Sequence, residues 1–140
     1  MRHLLPLLVI VLAFSACGNA PSPEQEATNA ALVYYQHLVD NQPNEFLEGK
    51  ADIDSLPKAY TTQLLQATRL YLSDIDAKHG GLREVRISNN VARSDTLPTH
   101  GGDGGGFPVV YAYLILCYTD STQEEIVVPM TEKNGKWYMK

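Results

Sequence analysis

The chain is short of several things, and each shortage removes a class of protein. Only two cysteines, Cys17 and Cys117, occur in 140 residues. Two thiols cannot build the disulfide framework of a small secreted domain, nor a closed zinc site. Basic residues are also sparse: 11 lysines and arginines stand against 16 acids, a formal net charge of −5. They form no cluster, so the chain lacks the electrostatic footprint of a nucleic-acid or anionic-headgroup binder. Nucleic acid is set aside as a partner. Long apolar runs are missing too. Leu4 to Phe14, broken by Pro6, falls short of the about 20 residues that a membrane-spanning helix needs. No other run approaches membrane length.

The N-terminus instead has the parts of an export signal. Arg2 gives the positive start, Leu4 to Phe14 the apolar core, and Ser15 and Ala16 the small residues before a cut. Phe14-Ser15-Ala16-Cys17 resembles the bacterial lipobox, in which small residues precede an invariant cysteine. That resemblance implies cleavage before Cys17, a diacylglyceryl group on its sulfur and acylation of the new amino group. The protein is then expected in the bacterial cell envelope, its partner the membrane, through a lipid anchor at Cys17. Each buried methylene contributes about 0.8 kcal/mol, so two or more acyl chains hold a soluble domain without a transmembrane helix. The plainer alternative is ordinary secretion, with Cys17 a leftover thiol beside the cut. Cys117, inside "VVYAYLILCY", reads as a small buried hydrophobe, because no histidine or electropositive pattern surrounds it. The expected division is a signal peptide over 1–16, the lipidated cysteine and tether over 17–23, and one domain over 24–140.

Within that domain the periodicity changes once. Ser22-Pro23-Glu24-Gln25 reads as a capped helix start, and Ala27, Ala31, Tyr34 and Leu38 follow on one face. Pro43 ends this helix, and "NEFLEGK" is a short helical turn closed by Gly49. A second long helix begins near Ser55-Leu56-Pro57, repeats Tyr60, Leu64, Ala67, Tyr71 and Ile75, and stops at Lys78-His79-Gly80. The period then becomes two. Val85 and Ile87 alternate with charges, "FPVVYAYLILCY" reads as a central strand, and Asp120-Ser121 turns the chain. "EEIVVPM" is the next strand, with Pro129 marking a bulge or an edge. Asn134-Gly135 makes a tight hairpin into "KWYMK". Helices first and strands afterwards predict an α+β fold, with N-terminal helices packed on a curved antiparallel sheet.

This order resembles the small bacterial lipoproteins of the nuclear-transport-factor-2-like superfamily, cystatin-like α+β cones also called lumazine-binding-like and mostly of unknown function. Residues 24 to 140 carry the resemblance, best at Lys78 to Val85 and over Val128 to Tyr138. The family's glycine pair falls on Gly80 and Gly81 and its tryptophan on Trp137; residues 95 to 106 depart from the pattern. None of the matching pieces is a catalytic motif. The resemblance implies a cone between sheet and helices lined by Tyr34, His37, Tyr71, Tyr113 and Trp137.

Other constellations carry less. "THGGDGGG", residues 99 to 106, lacks the Lys-Ser or Lys-Thr and the helix of a phosphate-binding loop. It resembles a lipase oxyanion loop, but no Gly-x-Ser-x-Gly elbow exists. It reads as a flexible connection. His100 and Asp103 fall short of the three or four ligands a metal takes, so no metal and no cofactor are expected. Tyr60 and Asp40 read as rim and solvated charge. No catalytic residue is assigned. The expected activity is binding of a small planar or amphipathic ligand or a protein partner, without turnover. The competing readings are an isomerase- or dehydratase-like enzyme using the cone, and a purely structural envelope component.

Overall fold

The computed structural model describes residues 18–98 and 106–140. Cys17 and most of the glycine-rich stretch lie outside them. Helix α1, Pro23–Val39, opens on the expected capping box. Ser22 Oγ accepts from the Gln25 amide at 3.2 Å, and Gln25 Oε1 accepts from the Ser22 amide at 3.0 Å. These bonds satisfy donors that the first helical turn leaves free. Its buried face is Ala27, Thr28, Ala31, Tyr34 and Leu38. Pro43 does not merely follow this helix; it occupies the first position of α2, Pro43–Glu48.

A 3-10 turn over Ile53–Ser55 precedes α3, Lys58–His79. Pro57 caps that helix from outside rather than standing within it. The inward face of α3 also differs from the expected one. Thr68 and Ile75 are buried, whereas Ala67 and Tyr71 are exposed. Thr68 tolerates burial because its hydroxyl donates to the Leu64 carbonyl at 2.8 Å. Gly80 ends the helix in the left-handed conformation, φ 78°.

Five strands follow: β1 Leu82–Ile87, β2 Arg93–Pro98, β3 Gly106–Tyr118, β4 Gln123–Lys133 and β5 Lys136–Met139. β1 and β2 pair with opposite ends of one side of β3, and β4 and β5 continue the sheet on its other side. All these strand pairs are antiparallel. β2 is a strand that the sequence pattern does not announce. Its residues, Arg-Ser-Asp-Thr-Leu-Pro, carry no apolar alternation, so long-range pairing with β3 decides their conformation.

Even-numbered residues of β3, from Val110 to Tyr118, face the helices and build the core with Val128, Met130, Trp137 and Met139. Odd-numbered residues face away. Cys117 is fully buried on that outer face. The result is the expected α+β arrangement, helices followed by a curled antiparallel sheet.

Candidate functional site

α3 makes its principal contacts with α2 and β1, not with β4. A groove therefore runs between α3 and β4, and Tyr35 of α1 reaches into it. One end widens into a cavity of about 260 Å³. Tyr35, Phe46, Leu47, Leu64, Thr68 and Val128 are among the residues that line it, and Lys50 and Lys140 border it. Tyr35 is fixed edge-on against Phe46, ring centroids 5.2 Å apart. Burial, and then the nearby Tyr71 hydroxyl, push the Tyr35 phenol up to about 12. Tyr35 is thus a fixed neutral donor at ordinary pH.

Tyr71, Tyr118 and Glu124 mark the other end. Glu124 occupies an even position of β4, on the side of Ile126 and Val128, so its carboxylate lies on the helix side of the sheet. Tyr118 donates to Glu124 Oε2 at 2.6 Å. Burial raises the pKa of Tyr118 most, and the bond to Glu124 adds to it. Tyr71 is raised by burial first and by the Glu124 charge second. Three phenols along one groove are therefore held protonated, as hydrogen-bond donors rather than bases.

His79 stacks flat on Tyr118, centroids 4.1 Å apart. Its Nδ1 meets Asp120 Oδ2 at 2.8 Å and Thr122 Oγ1 at 3.2 Å. A nucleophile–base–acid triad needs hydroxyl and carboxylate on different ring nitrogens. Here both sit on the same one, and Thr122 itself donates to Asp120. The group clamps a turn. Among the described residues no three metal-binding side chains gather.

The five residues expected to line the cone do not share one space. Tyr34 is core, its hydroxyl donating to the Trp137 carbonyl at 2.7 Å. Trp137 is core as well, with Nε1–H donating to Glu26 Oε2 at 3.4 Å. His37 pairs with Gln42 at 3.1 Å, at the α1–α2 corner. Tyr113 lies on the outer sheet face, opposite Val127. Tyr71 alone of the five borders the groove. Sequence reasoning missed Tyr35, though Ala31, Tyr35 and Leu38 fit the same helical stripe as Tyr34. Glu124 was also legible in principle, as a charge at the parity of Ile126, Val128 and Met130.

No family model matches the chain, and no curated protein matches it. Among solved structures it is similar to a Campylobacter jejuni protein named as an NTF2-like transpeptidase, with a TM-score of 0.54 over 79% of this chain and 94% of that one. The fold is NTF2-like. Sequence identity is 9%, so the likeness extends to the fold and no further. In this NTF2-like fold, Tyr35 lines the cavity between α3 and β4.

Proposed function

We propose that the protein is a lipid-anchored envelope domain that holds a small apolar-bodied ligand in the α3–β4 groove and releases it unchanged. The observation that carries this reading is the cavity itself, largely apolar walls around one half-buried phenol, which suits burial of a flat or aliphatic body oriented by few polar groups. Protonated tyrosines orient a ligand but do not attack it. The second reading, acid–base turnover, draws on one observation: Glu124 and the Tyr71 hydroxyl share the far end of the groove.

Equilibrium binding of 1-naphthol and decanoate to the full chain tests the first reading. Leu64→Trp, which fills the cavity, should weaken binding about tenfold or more, equivalent to ~1.4 kcal/mol, while the unfolding midpoint stays. Failure of both probes to bind overturns it. Turnover abolished by Glu124→Gln would favour the enzyme. The anchor has its own test. Intact mass of membrane-extracted protein should show cleavage before Cys17 and added acyl chains, and a free Cys17 thiol would refute lipidation.

A further inference from the structure

The sheet ends unevenly on the β5 side. β5 pairs with β4 only from Met130 to Lys133, and the Lys140 amide then donates to the Pro129 carbonyl at 2.9 Å. From Gln123 to Val128, β4 has β3 on one side and no strand of the described residues on the other. In an antiparallel ladder the backbone groups of successive residues point alternately to the two neighbours. The Pro129 carbonyl points toward the β5 side, so the N–H and C=O of Val127 and Glu125 point the same way. No described residue hydrogen-bonds them. Pro129 has no N–H to offer on that side, which accounts for the ladder ending there.

Open edges are usually shielded by charge, a bulge or a covering element. This one carries Glu124 and Glu125 at one end and is apolar at the other: Val127 is 50% exposed and Val128 lines the 260 Å³ cavity. The stretch 123–128 is about 20 Å long at about 3.3 Å per residue. Unpaired backbone groups beside an apolar cavity are complementary to an extended chain. Its amides complete the ladder, and its alternate side chains reach the cavity. The ends differ in charge, with Lys50 at the cavity and Glu124 at the far end.

We propose that the groove takes an extended peptide, which adds to β4 as a strand against Glu125 and Val127 and lodges one apolar side chain among Tyr35, Phe46, Leu64 and Thr68. The proposal rests on the ligand-binding reading of this groove. An acidic group of the peptide lies toward Lys50 and a basic one toward Glu124.

A random hexapeptide display library selected against the full chain, followed by an N-methyl scan of the best binder, tests it. Methylating alternate amides should weaken binding about tenfold or more, while the intervening amides tolerate the change. Exchange of the Val127 amide should slow in the complex. Val127→Pro, which removes that donor, should weaken binding similarly; if it misfolds, the N-methyl scan on the unaltered chain decides. Binding indifferent to N-methylation overturns strand addition. No enriched peptide, with decanoate or 1-naphthol still bound, overturns the peptide and spares the groove. Failure of every probe overturns both.

Discussion

Gly49 shows how one residue couples helix to sheet. Its φ of −76° is ordinary, so backbone freedom is not the reason for glycine. A Cβ there would lie 2.4 Å from Tyr34 Cδ1 and 2.5 Å from Cγ. The ring cannot retreat easily, because Tyr34 is buried and bonded to the Trp137 carbonyl. Gly49 also accepts from the Met139 amide at 2.7 Å, fixing the backbone from the other side. Gly49→Ala should therefore cost about 1–3 kcal/mol by overpacking, read as a lower urea midpoint. An unchanged midpoint would show that Tyr34 has room to move. The same residue explains why the site was only partly legible. A stripe of Ala27, Ala31, Tyr34 and Leu38 locates a buried tyrosine but cannot say whether it meets core or cavity. That depends on what approaches from 103 residues away, and here Tyr34 meets Trp137 while its neighbour Tyr35 meets the groove.

Elements were most legible where local chemistry fixes them. The Ser22–Gln25 capping box, the left-handed Gly80 and the Asn134-Gly135 hairpin, with φ of 54° and 76°, all follow from side chains within a few residues. β2 was illegible because its pairing with Val109 and Val110, not its own sequence, makes it a strand. The β3–β4 turn is a local device with a pH signature. Hydrogen bonds from Thr122 first and His79 second hold the Asp120 carboxyl down to about 2, against an ordinary 3.8. A depressed carboxylate stabilises the fold above its ordinary value, and that contribution disappears as pH falls through its folded value. The turn should thus loosen between about pH 3.8 and 2. An NMR titration of Asp120 should give the low midpoint, and Asp120→Asn should flatten the acid limb of the stability profile. A midpoint near 3.8 would mean that the clamp does not persist in solution.

At the scale of the molecule, the long helix is thinly integrated for its length. α1 buries five residues against the sheet, whereas α3, with 22 residues, buries only Thr68 and Ile75. Leu70 is 66% exposed and Tyr71 41%. The C-terminal end of α3 is fastened, through Gly80 and the His79–Asp120 contact, and α2 touches the helix elsewhere. Little hydrophobic area holds its middle onto β4, and that is what leaves the groove open. Segments with few buried contacts open before the global transition. Native-state hydrogen exchange should find the amides between Leu64 and Leu72 opening well below the free energy needed for β3, whose Leu114 and Leu116 are fully buried. A ligand in the groove would bridge α3 to β4 and supply the missing contacts. Saturation should then slow exchange in α3 more than in α1 or β3, because α1 and β3 already bury their faces in the free protein and α3 does not. Equal protection of α3 and β3 in the free protein would mean that the helix is clamped by interactions other than those seen, and that the groove does not widen to admit its ligand.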